Sequence, residues 1–185
     1  MRTSILILIT ILLYFSCKKQ SEVDEAFNCN SSTFKNLEEV EGLKNMFSVK
    51  LPENWKINLY QDEIQSSIFA ADTTKQLTET VLLDVTFINN NVNFDDAFML
   101  QQEQDNLARS LVKTKSKKIT LLEKPSIYII YKGKKGQFNY QTCHVFIKIN
   151  EQNFIFAKIE VYGDSIVNQR FCNAFSLIEN LKIHQ

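Results

Sequence analysis

The chain has 185 residues, 21 basic and 21 acidic, for a formal net charge of zero, which gives no global attraction to nucleic acid. Four glycines and two prolines exclude collagen-like, repeat and low-complexity architectures. Hydrophobic residues make up 44% of the chain, Phe 14 among them, enough to build a proper core in one domain.

The first segment reads as an address. Arg2 precedes an apolar run over residues 5–15, and Ser16 and Cys17 close it, the three-part pattern of a secretory leader. As a helix, residues 4–16 would rise only about 20 Å, against roughly 30 Å of hydrocarbon, too short to span. Leu13-Tyr14-Phe15-Ser16-Cys17 resembles a bacterial lipobox, with Ser16 at the small position before the cysteine. The resemblance implies cleavage before Cys17 and diacylation of its sulfur, so that the mature chain is held at a membrane by acyl chains. Two or more chains anchor stably where one binds only marginally. The expected organisation is a leader over 1–16, a lipidated N-terminus and tether over 17–44, and a folded domain over 45–185, located in the bacterial cell envelope on the periplasmic side or at the cell surface.

Residues 18–36 are polar and acidic with little periodicity, which suits a tether. Phe34, Leu37, Val40 and Leu43 have the spacing of a short helix or turn that closes it, with Gly42 ending or bending it. Phe47, Val49 and Leu51 alternate with Ser48 and Lys50, a strand with one buried face; Pro52 stops it, and Trp55, Ile57 and Leu59 resume the alternation. Residues 64–71 give a weaker strand. Val81, Leu83, Val85 and Phe87 give a clear one, with Asp84 and Thr86 on its other face. Asn93 and Asp96 form an N-terminal capping pair, and Ala97, Leu100, Gln104, Leu107, Ala108 and Leu111 share one face of a helix of about five turns, half apolar and so lying on the outside of a sheet. Arg109 and Lys113 suit the negative end of its dipole.

Three strands follow. Ile119 and Leu121 begin a run that Pro125 interrupts and Ile127, Ile129 and Tyr131 continue. Gly133-Lys134-Lys135-Gly136 makes a hairpin turn, residues 140–149 answer it, Asn150-Glu151-Gln152-Asn153 turns again, and residues 154–161 complete an antiparallel meander. These strands are apolar on both phases and therefore covered on both faces. Gly163-Asp164-Ser165 caps a last helix whose stripe is Ile166, Val167, Arg170, Phe171, Ala174, Leu177, Ile178 and Leu181, the expected cover for the meander.

The opening Phe47-Ser-Val-Lys-Leu-Pro52-Glu-Asn-Trp55, followed by short strands, a middle helix, a meander and a closing helix, resembles the PsbP-like superfamily over most of the mature chain. The resemblance implies an α+β fold: an antiparallel sheet of about six or seven strands flanked by helices, an α/β/α sandwich. Known members are accessory or binding proteins: extrinsic subunits of photosynthetic complexes, a partner of a small GTPase, and bacterial envelope lipoproteins. None supplies a catalytic motif to carry onto these positions, so the chain is expected not to be an enzyme.

With Cys17 acylated, Cys29, Cys143 and Cys172 remain. Outside the cytoplasm three thiols make one bridge and leave one over. Cys143 runs in phase with Val145, Ile147 and Ile149 and faces a core, so Cys29 and Cys172 are the candidate disulfide that would pin the N-terminal segment to the body. From 109 to 135 the chain is basic, and Lys113, Lys115, Lys117, Lys118, Lys132, Lys134 and Lys135 are a candidate strip for an acidic partner or lipid headgroups, or else solvated strand faces and hairpin tips.

His144 and His184 are the only histidines, without a second histidine or cysteine at ligand spacing, so no metal or other cofactor is expected. No phosphate loop or nucleophile elbow is present. Asp84 and Glu160 sit on strands among apolar neighbours, where burial raises a carboxyl pKa; they face solvent, pair with Lys148 or Lys158, or act as an acid–base pair. Trp55 reads as core. Three roles follow: a non-enzymatic envelope lipoprotein serving as a binding or accessory module for an envelope protein partner; a carrier holding a small apolar ligand between sheet and helix; and a hydrolase in which Asp84, Glu160 or His144 converge. The first is favoured, with the membrane reached through acyl chains and no role for nucleic acid.

Overall fold

A computed structural model describes residues 21–29 and 34–184; the leader and Cys17 lie outside them. The elements are α1 (Glu22–Phe27), β1 (Leu37–Glu41), β2 (Phe47–Pro52), β3 (Lys56–Gln61), β4 (Gln65–Ala71), β5 (Leu82–Asn89), α2 (Asp96–Leu107), β6 (Val112–Leu121), β7 (Lys124–Lys135), β8 (Phe138–Lys148), β9 (Asn153–Tyr162), α3 (Val167–Ile178) and β10 (Lys182–Ile183). Seven strands form one sheet in the order β3-β4-β5-β9-β8-β7-β6, and β1-β2-β10 form a second; every pairing is antiparallel. This is an α+β fold.

The layering follows from the strand pattern. In β7, β8 and β9 successive side chains point to opposite faces, and both phases are apolar. Tyr128, Ile130, Val145, Ile147, Ile155 and Ile159 belong to one core, roofed by Phe171, Phe175, Leu177 and Ile178 of α3, by Val23 and Phe27 of α1, and by Phe47, Val49 and Leu51 of β2. Ile127, Ile129, Tyr131, Phe146 and Phe154 belong to a second core on the opposite face, under Phe94 just before α2 and Phe98 and Met99 in its first turn. The edge-to-face packing of Phe98 on Phe146, with centroids 4.9 Å apart, seats that helix.

Several expectations need correction. The acidic segment read as tether contains α1, whose Ser21 accepts from Asp24 N at 3.0 Å in a capping box. Its two apolar residues, Val23 and Phe27, lie one helical turn apart, too few to register as periodicity, yet both are buried. Leu37 and Val40 belong not to a helix but to β1, paired to β2. The middle helix starts at Asp95, whose carboxylate accepts from Phe98 N at 3.0 Å, rather than at Asn93. It ends at Leu107, because Ser110 takes a positive φ of 60° and turns the chain into β6. Its inward face carries Phe98, Met99 and Asn106; Leu100 and Leu107 of the expected stripe stand 57% and 61% exposed. The aromatics bury more apolar area than the leucines would, and they set the rotation.

The β6–β7 hairpin turns on Leu122 and Glu123, both at positive φ, so the basic stretch is itself strand and Pro125 pairs within the ladder opposite Thr120. Gly133 lies inside β7, not in a turn: a Cβ there would come 2.5 Å from the Ser110 carbonyl oxygen. The expected cap of α3 is also absent. Its N-cap, Ile166, is at φ 42° with no side-chain bond. The chain entering the helix is held instead by Arg170, 2% exposed, which donates to the carbonyls of Thr80 (3.1 Å), Tyr162 (2.9 Å), Gly163 (3.3 Å) and Ser165 (2.7 Å).

Cys29 is bonded to Cys172 of α3 across a sequence separation of 143 residues, and Cys143 is free and buried. On the chain-entropy account, a loop of this length stabilises by about 3–5 kcal/mol. The Cys29→Ala, Cys172→Ala double variant is expected to lose about that much in guanidinium unfolding, and reductant to do the same to the wild type; an unshifted midpoint would show that α1 docks without the bridge. Arg170→Met leaves four carbonyls, two of them on buried residues, without their donor and is expected to cost roughly 3 kcal/mol by the same assay.

Candidate functional site

The second face of the large sheet is covered only in part. Past Leu107, α2 has ended, and the sheet beneath carries polar rather than apolar residues. The β8–β9 register sets Thr142 opposite Glu160 and His144 opposite Lys158. Both pairs point to the same face as Phe146 and Phe154, because side chains two apart share a face. The uncovered patch forms a pocket of about 330 Å³ lined by Asn106, Arg109, Leu111, Lys134, Lys135, Tyr140, Thr142, His144, Lys158 and Glu160. Arg109, Lys134 and Lys135 are exposed at its rim, whereas Asn106, Tyr140, Thr142, His144 and Glu160 are buried in its floor.

Two networks organise the floor. The Tyr140 hydroxyl donates to Glu160 Oε1 at 2.7 Å, and Lys158 and Lys135 lie 3.4 Å and 3.7 Å from the same oxygen. Burial pushes the Glu160 carboxyl up, but the Tyr140 hydrogen bond and the two lysines outweigh it and hold the group below the usual carboxylate range. Burial and the carboxylate raise the Tyr140 phenol. Lys135 also lies over the rings of Tyr140 and Tyr162, at 5.1 Å and 5.4 Å. Asp84 reaches Lys158 only at 4.0 Å, and burial raises its carboxyl.

The second network is incomplete. His144, 5% exposed, packs against the rings of Tyr131 and Phe156 at 5.1 Å and 5.2 Å. Its Nδ1 is buried without a hydrogen-bond partner, as is Asn106 Oδ1, while the Asn106 side chain also reaches the Tyr131 hydroxyl. The Asn106 amide is oriented by its own donation to the Gln102 carbonyl at 2.7 Å, which leaves Oδ1 as the free acceptor.

The lysines of the expected basic strip take several different partners. Lys113 pairs with Glu103 of α2, Lys115 donates to the Ala26 carbonyl of α1 at 3.0 Å, and Lys117 lies 3.9 Å from Glu22. Those three lysines fasten helices to the edge strand. Lys118 lines a different cleft, about 520 Å³, whose floor is Phe94, Ile119, Pro125 and Ile127. Lys132 lies near α1. Only Lys134 and Lys135 join the pocket. His184 bonds the Asn45 carbonyl at 3.1 Å, with Ser48 3.3 Å from its other nitrogen, far in sequence and role from His144. Among the described residues no three His, Cys, Asp or Glu side chains gather as a metal site, and no helix is long and apolar enough to cross a membrane.

No protein-family model and no curated protein matches the chain. Solved structures resemble it. A point mutant of the protein Mog1 superposes with a TM-score of 0.51 at 9% identity, over 80% of this chain and 96% of that one. A protein of Bacteroides thetaiotaomicron gives 0.49 at 12% identity over 81% of this chain, which spans 49% of that protein's length. LpqN, described as involved in cell envelope biogenesis of Mycobacterium tuberculosis, gives 0.48 at 11% identity, over 80% and 91% of the two chains. At 9% identity the likeness to Mog1 is one of fold alone, an antiparallel sheet between helices.

The buried histidine leaves a measurable signature. Burial holds His144 down from 6.5 to about 4, with Lys158 and Arg109 adding to the effect and Glu160 opposing it. Between those values the unfolded chain takes up a proton that the folded chain refuses, so stability falls as pH drops through that window and levels off below it. His144→Gln removes that uptake, and its loss of stability from pH 7 to pH 4 should be smaller than the wild type's by about 3 kcal/mol. Equal slopes would place the wild-type imidazole at an ordinary pKa.

Proposed function

We propose that the chain is a non-enzymatic binding module of the bacterial cell envelope, tethered by acyl chains on Cys17, that holds or supports another envelope component through the partly covered face of its large sheet. One observation carries the reading. Cys29 and Cys172 are cross-linked, and such bridges persist in the oxidising space outside the cytoplasm, which supports reading residues 1–16 as a leader. The bridge and α1 also leave only the four residues after Cys17 before the folded body begins. At no more than about 3.6 Å per residue, that length keeps the domain close to any bilayer Cys17 enters.

The chemistry of the pocket supports binding over turnover. A general acid or base works best with a pKa near the operating pH. Glu160 is stabilised as the anion and His144 as the neutral imidazole, so both keep their protons or their charge through neutral pH. Thr142 spends its hydroxyl on the Ile159 carbonyl at 2.9 Å. The carrier reading takes a different form here, because the pocket under the helix end is polar and ringed with cations.

Mass spectrometry of the mature protein extracted from membranes tests the tether: a diacylated Cys17 at the amino terminus is expected, with a soluble or leader-retaining product from Cys17→Ala. An unmodified amino terminus in the wild type would end the lipoprotein reading. Affinity purification of the lipidated chain should enrich envelope proteins over that same control.

A further inference from the structure

We propose that the pocket beside the end of α2 is a binding site for a small hydroxylated oxyanion, a carboxylate or phosphate monoester about the size of a monosaccharide, with its anionic group between Arg109 and Lys134 and its hydroxyls on the buried floor. The proposal extends the binding half of the function given above and is independent of acylation at Cys17.

Three observations converge. First, the rim carries uncompensated charge. Four cations, Arg109, Lys134, Lys135 and Lys158, line one pocket with a single carboxylate, Glu160. Lys135 and Lys158 share that carboxylate, with Asp84 a further 4.0 Å from Lys158, while the side chains of Arg109 and Lys134 have no hydrogen-bond or ion-pair partner among the described residues. Like charges gathered without counter-charge repel one another, and an oxyanion relieves that repulsion through charge-assisted hydrogen bonds, for which a guanidinium is well shaped.

Second, the floor carries unanswered polar atoms. His144 Nδ1 and Asn106 Oδ1 belong to residues only 5% and 3% exposed, both lining the pocket and both without partners. Buried polar groups are hydrogen-bonded as a rule, and each orphan calls for an explanation. Asn106 Oδ1 accepts only, so the group that satisfies it must donate, which a hydroxyl does and a bare carboxylate or phosphate oxygen does not. Charge at the rim and donors deeper in describe one ligand with an anionic end and a hydroxylated body.

Third, the site is shaped. A volume of about 330 Å³ lies at the lower end of small-molecule pockets. The floor is held by strands paired along their length, with Tyr140 fixed on Glu160 and the His144 ring clamped between Tyr131 and Phe156. A larger cleft bounded by Phe94, Ile127 and Pro125 contains none of these orphaned atoms.

The two-histidine composition provides the readout. In imidazole-detected NMR of the mature full chain, His184 is identified by His184→Gln, and the remaining signal is that of His144. Glucuronate and glucose 6-phosphate are titrated separately to ~10 mM, weak binding by any standard, beside glucose and inorganic phosphate as controls. The expected result is a saturable shift of the His144 signal with one or both sugar anions and none from His184. Whichever of the two binds tighter identifies the anionic group as carboxylate or phosphate. The Arg109→Gln, Lys134→Gln double variant alters only exposed rim residues, so it should keep the wild-type unfolding midpoint while weakening binding by about tenfold for each charge-assisted contact removed.

Glucose binding as well as the sugar anions would overturn the proposal. So would binding of inorganic phosphate as tight as that of glucose 6-phosphate, which means an adventitious ion only. An unmoved His144 with both sugar anions, or a double variant that binds like the wild type, would also overturn it. A chain found unacylated at Cys17 leaves these outcomes unchanged, and the two failures are distinguishable.

Discussion

The architecture rests on three adjacent strands that are apolar on both faces. A sheet of this kind cannot face water on either side, so it must be roofed twice. One roof is complete: α3, α1 and the small β1-β2-β10 sheet close over Tyr128, Val145, Ile147 and Ile159. The other is short. A helix of twelve residues reaches about 18 Å, enough to cover Phe146 and Phe154 but not the far end of β8 and β9. There the strands change character, from Phe146 and Phe156 to His144, Thr142, Lys158 and Glu160, within one continuous ladder. The pocket is therefore a consequence of a roof shorter than its floor.

That arrangement also explains the unusual electrostatics. The rim comes from three separate places, the turn after α2, the end of β7, and β9, brought together because Gly133 lets the Ser110 carbonyl approach β7 closely. Side chains that would be solvated singly become a ring, while the tyrosine, histidine and asparagine below them lie in a region of low water access. Burial decides the protonation of His144, where the ring adds to it, and is outweighed at Glu160, where Tyr140 and the ring oppose it.

Much of the frame was legible in the residues. Alternation over β2, β5, β8 and β9, and the two-phase apolar pattern of the meander, identified an antiparallel sheet between helices, because period-two burial is a direct consequence of strand geometry. Short or mixed segments were not legible in the same way. Val23 and Phe27 make a helix only because α3 and β6 receive them, and the exposure of Leu100 and Leu107 follows from two phenylalanines that fill the sheet's second core better. The Leu122–Glu123 turn uses positive φ at residues that carry no turn signal. Of the pocket, Asp84, Glu160 and His144 drew notice as polar residues on apolar strands. Pairing β8 with β9 across the turn at 150–153 would have set His144 against Lys158 and Thr142 against Glu160. Arg109 and Asn106 carry no such mark, since their roles depend on where a helix stops, whereas Lys134 and Lys135 stand out in the sequence as members of the candidate basic strip. The pairing of Cys29 with Cys172 could be entertained from phase alone, but the helix that delivers Cys29 to α3 could not.

The central claim is that the uncovered end of the sheet is a floor for a ligand and not an unfinished part of the core. The most direct measurement is a high-resolution crystal structure of the protein purified from its own cells without exchange into other anions. The account predicts density in the pocket for a small molecule that touches Arg109 and Lys134 and reaches Asn106 Oδ1. Side chains of the chain itself closing over His144, or water alone on the floor, would contradict it.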